Sequence, residues 1–203
     1  MIQIGLFQIS KSSSDNKTYA FIADNANVAA EVSFRDNMPL IPTAGAVPDT
    51  SLLPVGKTAH AQVSWVYVMS ASPLWDGGSF IGEVAYHRIT SVTANEAMLD
   101  PNGTRDASAV RVLFTPTYYQ VLPGLDLSVP VGTGYGLSGR SLVIPNFAPF
   151  HGGDYSVGLA GEYQKEWRIS LTYNGYYGSA AGITIPRWFS VAALYALQKS
   201  MIW

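Results

Sequence analysis

Apolar and polar residues alternate along most of the chain, most regularly on either side of a Leu-Pro-Gly turn at positions 122–124. From Leu125 to Tyr135 every second residue is apolar or aromatic, apart from one threonine, and the residues between are small or polar. The residues before the turn, Val110–Tyr119, alternate in the same way. A period of two is that of a β-strand with one apolar and one polar face. The two runs therefore predict a hairpin of long strands.

The same alternation predicts further strands elsewhere in the chain, at Val28–Arg35, Lys57–Ser70, Phe80–His87, Asp154–Tyr163, Trp167–Tyr177, Phe189–Leu197 and, more loosely, Met1–Ser10. Lys11–Asn27, rich in Ser and Asn, predicts a turn or loop around a short apolar patch at Tyr19–Ala23. The remaining connections are long at 37–56, 91–106 and 137–153 and short at 71–78, 122–124 and 164–166.

Regular alternation of long and short connections is typical of transmembrane β-barrels. The predicted fold is all-β: an antiparallel up-and-down meander of an outer-membrane barrel, with about eight or nine long strands in one domain over residues 1–203. We expect an incompletely closed sheet, in which Phe189–Leu197 is not hydrogen-bonded to the N-terminal strand. Pro130 interrupts a predicted strand, so we expect a bulge or local kink there.

Composition favours a membrane barrel over a soluble one. Charged residues make up 13% of the chain, about half the usual share of a soluble domain, and aromatic residues make up 12%. The alternative is a soluble β-sandwich or lipocalin-like barrel whose aromatic residues form its core. A net charge of −2 provides no basic surface for nucleic acid, and without cysteine there is no thiol or zinc–cysteine chemistry. No cofactor is expected.

The sequence predicts neither a membrane-spanning helix nor a signal peptide. No apolar run approaches the roughly 18 residues of a membrane helix. The N-terminal sequence MIQIGLFQISKSSSDNK is not a convincing signal peptide, because it has neither a basic opening nor a clear cleavage site.

Aromatic residues on the apolar faces fall toward the two ends of the predicted strands, as in the girdles of membrane barrels. The predicted membrane-interface residues are Tyr67, Tyr86, Tyr118, Tyr135, Tyr155, Tyr163, Trp167, Tyr177 and Phe189.

The opposite faces carry charged and polar residues of both signs, which predicts a polar lumen. The predicted lumen-facing residues are Glu31, Arg35, His60, Gln62, Glu83, His87, Arg111, Asp126, Asp154, Glu162 and Arg168. These groups either bias which solutes pass or neutralise one another in a filled interior, and the sequence leaves both interpretations open.

Three patterns were weighed as chemical sites, and none predicts catalysis or metal binding. The sequence His151-Gly-Gly-Asp154 lacks an accompanying nucleophile elbow and is more typical of loop geometry. The oxygen-rich turn Asp100–Asp106 lacks the spacing and distal glutamate of a calcium loop. His60 and His87 face the same way on neighbouring strands but have no third ligand at a metal-like spacing.

Several separated blocks resemble the C-terminal part of the domain-of-unknown-function 1302 family. They are SFRDNMPL (Ser33–Leu40), VGKTAHAQVSWVYV (Val55–Val68), LDPNGTRDA (Leu99–Ala107), PTYYQVLPGLDLSVPVG (Pro116–Gly132) and HGGDYSVGL (His151–Leu159). The resemblance covers about Val28 to Tyr177 and implies an outer-membrane β-barrel of a Gram-negative bacterium. It brings no established activity. Because family members are longer, it also implies that this chain is the C-terminal half of a larger barrel, although LYALQKSMIW is an unusual end for one.

The expected function is that of a porin-like passive channel or uptake route for small solutes, including hydrophobic ones. The alternative is a structural or assembly barrel with a filled lumen and no transport. An outer-membrane enzyme ranks third, because no nucleophile–base pair can be assembled from the sequence. The expected partners are outer-membrane lipid, small-molecule solutes and the barrel-assembly machinery, with no nucleic acid.

Overall fold

The computed structural model describes residues 3–7, 14–23, 25–43, 52–144, 147, 150–180, 183–184 and 190–192. These residues form an antiparallel sheet and a small separate ribbon. The strands are β1 (Gln3–Phe7), β2 (Ser14–Ala23), β3 (Ala26–Pro39), β4 (Val55–Met69), β5 (Gly77–Ala94), β6 (Asp106–Leu122), β7 (Leu125–Ser128), β8 (Val131–Ser138), β9 (Gly153–Tyr163), β10 (Trp167–Tyr177), β11 (Ser179–Ala180), β12 (Ile183–Thr184) and β13 (Ser190–Ala192). Glu96–Met98 forms a 3₁₀ turn.

The sheet is a meander, as predicted. Its order is β1-β2-β3-β4-β5-β6-β7-β9-β10-β13, and β8 continues the line of β7 between β6 and β9. Counting β7 and β8 as halves of one strand gives eight long strands, with short β1 and β13 at the edges. Strands β11 and β12 pair with each other in the connection to β13.

The sheet is not closed. Within the described residues β1 pairs with β2, β13 pairs with β10, and no ladder joins β1 or β3 to β13. This agrees with the prediction of an incompletely closed sheet. The remainder of the predicted last strand, with Phe189 and Ala193–Leu197, lies outside the described residues, as does the terminal sequence LYALQKSMIW.

Strand β2 was missed by the sequence analysis, which predicted a turn or loop over Lys11–Asn27. All ten residues of Ser14–Ala23 pair with β3, from Ser14 opposite Arg35 to Ala23 opposite Ala26. Ser, Asp and Asn are depleted in strands, so the opening of this segment predicts a turn. Backbone pairing with the edge of β3 outweighs that preference and makes the segment a strand.

Strand β5 is longer than predicted. The loop expected from Ser91 begins only after Ala94, because the end of β5 pairs with the start of β4. The register between these strands shifts between Val55 and Gly56 and again between Lys57 and Thr58. These irregularities lie next to the long connections, where the chain leaves the regular sheet.

Pro130 breaks the strand assignment between β7 and β8 but creates no bulge. Thr117 lies opposite Ser128 before the break and Phe114 lies opposite Val131 after it, so two residues lie between the two pairs on each strand. The Pro130 carbonyl still accepts a hydrogen bond from Gly158 N at 2.8 Å. Of the bulge or local kink expected at Pro130, the bulge is therefore absent. The ladder is interrupted because proline has no N–H to donate.

Pairing registers divide the side chains of the long strands into two sets. We call the polar face the side that carries Glu83 and Arg111, which lie opposite each other on β5 and β6. The apolar face is the side that carries Val84 and Val110, which also lie opposite each other.

The main buried cluster lies among the long connections. Leu40 follows β3, Ile89 lies near the end of β5, and Leu142 and Val143 lie in the connection from β8 to β9; each is at most 5% exposed. We call these four residues the long-loop cap. A backbone hydrogen bond from Ile41 N to Leu142 O, 2.7 Å, ties two of these connections together. The long connections therefore pack on one another at one end of the sheet.

Candidate functional site

The polar face brings the predicted lumen-facing residues together on one side of the sheet. Their positions follow from the registers of β3 to β10, which place Glu31 opposite Gln62, His60 opposite His87, Glu83 opposite Arg111 and Asp126 opposite Glu162. Arg35, Asp154 and Arg168 lie on the same side by the same pairing. These residues therefore share one face of the sheet.

Arg111 and Asp154 form an ion pair that crosses a whole strand. Arg111 on β6 lies opposite Gly134 on β8, which in turn lies opposite Asp154 on β9. Both guanidinium Nη atoms donate to the Asp154 carboxylate, at 2.9 and 2.5 Å. A Cβ on Gly134 would lie 2.8 Å from Arg111 Nη2 and 3.0 Å from Asp154 Oδ1. The absence of a side chain at Gly134 is therefore what leaves room for the pair.

Glu83 extends this charged row on the other side of Arg111. It lies opposite Arg111 in the ladder and is exposed. Among the described residues, no cationic nitrogen lies within 4.0 Å of the Glu83 carboxylate. The row Glu83–Arg111–Asp154 carries two negative charges and one positive charge, so it has an excess of one negative charge.

A second charged group lies beside the short turn between β9 and β10. Lys165 Nζ donates to Asp126 at 2.7 Å and lies 3.1 Å from Glu162, which also accepts from Arg168 Nε at 2.7 Å. The hydrogen bonds from Lys165 to Asp126 and then to Glu162 raise the pKa of the Lys165 amine. A cavity of about 480 Å³ lies against these residues, with Thr115, Thr117 and Ser128 on its wall. The charges of this group are all paired.

The two histidines predicted to share a face do so, but they differ in their surroundings. Their ring centroids are 6.0 Å apart, and His60 Nε2 is 2.8 Å from Thr58 Oγ1. His87 is 2% exposed, and neither of its ring nitrogens has a hydrogen-bond partner among the described residues. Phe147, from the connection between β8 and β9, packs edge-on against His87 with centroids 4.7 Å apart. The described residues contain no cluster of three or more metal-ligating side chains.

The apolar face exposes large hydrophobic side chains. Phe34 is 56% exposed, Leu159 is 50% exposed, and Ile169 and Leu171 are each 53% exposed. Soluble monomers rarely expose large apolar surfaces, and an exposed apolar face is typical of surfaces that contact lipid or another protein.

Aromatic side chains lie toward both ends of the apolar face. Tyr135 and Tyr155 lie near the long-loop end, with ring centroids 6.2 and 6.4 Å from that of Tyr177. Toward the short turns, Tyr163 and Trp167 lie opposite each other. The registers place the other predicted interface aromatics of the described part of the chain, Tyr67, Tyr86 and Tyr118, on the same face; Phe189 lies outside the described residues.

Two patterns weighed for chemistry are engaged in structural contacts. The His151 ring stacks on Phe150, with centroids 3.7 Å apart, while the Asp154 carboxylate is bonded to Arg111. Asp100 Oδ1 accepts hydrogen bonds from the backbone and side-chain amides of Asn102. Its other carboxylate oxygen lies 3.3 Å from Arg140 Nη2.

Sequence reasoning missed three contributors to the polar face. Lys165 lies in a predicted turn, although a lysine two residues after a strand that ends in Glu162 and Tyr163 is a signal for an ion pair at the turn. Gly134 was noted only as a small residue. Phe147 lies in a long connection, and no local pattern connects it with the distant His87.

The architecture defines an all-β protein built on one antiparallel meander, with an apolar face exposed and a charged, partly covered face opposite. The chain belongs to the family described as protein of unknown function (DUF1302), whose model matches residues 3–191. This agrees with the resemblance found in the sequence. Neither curated proteins nor solved structures gave a match. In the described part of the chain, no helix is long and apolar enough to cross a membrane.

Proposed function

We propose that this protein is an outer-membrane β-barrel of a Gram-negative bacterium that acts as a porin-like passive channel for small solutes, including hydrophobic ones. The observation that carries the proposal is the inverted distribution of polarity across the sheet. Two ion pairs between strands, Arg111–Asp154 and Arg168–Glu162, lie on the face with the cavities. Leu159, Ile169 and Leu171 are exposed on the other face. An exposed apolar face of this kind is stable in contact with the lipid hydrocarbon of a membrane, and the polar face then lines the lumen of the barrel.

Barrel closure is part of the proposal. In lipid an unpaired backbone group costs several kcal/mol, so open sheet edges are not stable there. The edges at β1 and β13 are open in the described residues. We therefore propose that further strands pair with these edges to close the barrel, and that the barrel-assembly machinery inserts it. No catalytic role is assigned.

Site-directed spin labelling tests the orientation of the faces directly. The chain contains no cysteine, so single-cysteine variants carry one label each. In protein folded into liposomes, a label at Leu159 or Ile169 should be accessible to oxygen and protected from a polar nickel chelate. A label at Ser156 or Ser170, on the polar face, should show the reverse. Equal accessibility of the two sets to the chelate would contradict a lipid-facing apolar surface.

A barrel with a filled interior and no transport is the second candidate, and the long-loop cap favours it. The cap packs two long connections against strand β5, and Phe147 extends from the β8–β9 connection onto the polar face at His87. Liposome swelling with the folded protein separates the two functions. Swelling in small sugars or amino acids above that of protein-free liposomes supports the channel. The protein-free rate, given correct insertion, supports the filled barrel.

A further inference from the structure

A cavity of about 440 Å³ lies on the polar face between β4 and β8. Its size is within the range of small-molecule sites in proteins. It is separate from the cavity beside Lys165, and its wall differs in chemistry. The difference lies in an apolar floor and in the Glu83 carboxylate, which forms no salt bridge to any described residue.

The floor is an apolar row on the otherwise polar face. Val66, Ile81 and Leu113 lie opposite one another on three neighbouring strands. Each lies two residues from a polar-face position along its strand, at Ser64, Glu83 and Arg111 respectively, so their side chains share that face. Val66 is 43% exposed and Ile81 is 38% exposed. The row therefore presents apolar surface to the cavity.

An aromatic ring completes the apolar wall. Phe147 lines the cavity, and its ring is held edge-on against the buried His87 ring. Since His87 is 2% exposed, Phe147 rests on a fixed support. The cavity is thus walled by aliphatic side chains from the sheet and by an aromatic side chain from a loop.

The charged side of the cavity is negative in effect. Glu83 and Arg111 both line it. Both Arg111 Nη atoms already donate hydrogen bonds to Asp154, so the guanidinium charge is paired with a carboxylate that does not line the cavity. The Glu83 carboxylate has no salt bridge to any described residue. An anion entering here would compete with Asp154 for Arg111 and lie beside Glu83.

We propose that this cavity binds small organic cations, with an alkyl or aromatic body on the apolar row and a primary ammonium group hydrogen-bonded to Glu83. An ammonium donates to a carboxylate in a charge-assisted hydrogen bond. The Phe147 ring adds an attraction for the same charge through its π face. The choice of transported solute rests on the proposed channel function, but binding itself needs no transport.

Calorimetric titration of the detergent-folded full chain with hexylammonium tests the cavity. Uncharged 1-hexanol and anionic hexanoate, which have the same alkyl chain, are the comparison ligands. Hexylammonium should bind about tenfold or more tightly than 1-hexanol, because a hydrogen bond to a charged group contributes more than a neutral one. Hexanoate should bind most weakly. Equal binding of hexylammonium and 1-hexanol, or tighter binding of hexanoate, would overturn the proposal.

Variants locate the binding. Glu83→Gln should weaken hexylammonium binding about tenfold and leave 1-hexanol binding unchanged. Glu31→Gln, a carboxylate change on the same face but outside the cavity wall, should change neither. Phe147→Ala, a loop change that leaves the sheet ladder intact, should weaken the binding of both ligands. Unchanged hexylammonium binding in Glu83→Gln, or in Phe147→Ala if the former does not fold, would overturn the assignment.

The channel and the cavity fail separately in these experiments. If hexylammonium binding depends on Glu83 but the liposomes do not swell, the proposed binding site is supported and the proposed channel function is contradicted. If the liposomes swell but such binding is absent, the channel function is supported and the proposed binding site is contradicted.

Discussion

Arg111 reaches Asp154 across an intervening strand, and Gly134 lies beneath the pair. The two charged residues are on β6 and β9, with β8 between them, and both guanidinium Nη atoms donate to the carboxylate. An ion pair between neighbouring strands would need no such gap. Here the residue with no side chain decides whether the partners can meet.

Gly134→Ala should uncouple Arg111 from Asp154. The added methyl group would lie 2.8 Å from Arg111 Nη2, so the guanidinium must move away. The Arg111 side chain is 64% exposed, and the coupling in the native background should be about 0.5–1 kcal/mol, as for solvent-accessible pairs. Double-mutant cycles with Arg111→Ala and Asp154→Ala, by denaturant unfolding, should give a coupling near zero in the Gly134→Ala background. The same coupling in both backgrounds would show that Gly134 is not the determinant.

Gly82→Ala should destabilise the sheet more than an equivalent change at Gly161. A Cβ on Gly82 would lie 2.1 Å from the nearest indole atom of Trp65, so the ring must leave its position on the apolar face. The cost should be about 1–3 kcal/mol, as for overpacking. At Gly161 the nearest atom would be Leu127 Cδ2 at an ordinary 3.4 Å, and the change should stay within about 0.5 kcal/mol. The two alanine variants can be compared by their unfolding midpoints in detergent. Similar midpoints would contradict the close packing of Trp65 on Gly82.

Leu142→Ala should loosen the long-loop cap without unfolding the sheet. Leu142 is 4% exposed, and removing its side chain should cost about 2–3 kcal/mol locally. Trypsin should then cleave faster after Arg140, two residues away. Leu137, 44% exposed at the end of β8, provides the control, since Leu137→Ala should leave the rate unchanged. Equal cleavage of the two variants and the native chain would show that the cap does not restrain this loop.

The Lys165 contacts should stabilise the β9–β10 turn up to alkaline pH. The pKa of Lys165 is raised in the folded state, chiefly by the hydrogen bond to Asp126. A raised pKa stabilises the fold fully below the ordinary lysine pKa of 10.5, and the stabilisation is lost as the pH rises through the folded value. The difference in unfolding midpoint between the native chain and Lys165→Gln should therefore be constant from pH 7 to about pH 10 and shrink above it. A difference that shrinks already below pH 9 would contradict this assignment.

The strands and their faces could be predicted because a period of two is a local property of the sequence. Val84 and Val110 on one face and Glu83 and Arg111 on the other follow from counting alone, provided that the register holds. Strand β2 could not be predicted, because its polar opening favours a turn and only pairing with β3 makes it a strand.

The parts of the candidate site that escaped prediction depend on contacts between distant segments. Phe147 and His87 are 60 positions apart in the sequence and meet through the fold of the β8–β9 connection. The bulge at Pro130 was likewise predicted from a general rule, that proline inside a sheet is found mostly at edges or bulges. The carbonyl of Pro130 retains its bond from Gly158, and this lets the register continue past the proline.

The most direct measurement of the central claim is the free energy of folding into lipid bilayers for arginine variants on the two faces. Leu171 and Ser170 are neighbours on β10 with side chains on opposite faces. Ser128, the last residue of β7, lies on the polar face opposite Ala160, and Val129 follows it toward Pro130. Arginine at Leu171 or Val129 should cost about 2–4 kcal/mol if these residues face the hydrocarbon, and arginine at Ser170 or Ser128 about 1 kcal/mol or less. Equal penalties on the two faces, or a larger one at the serines, would contradict the account.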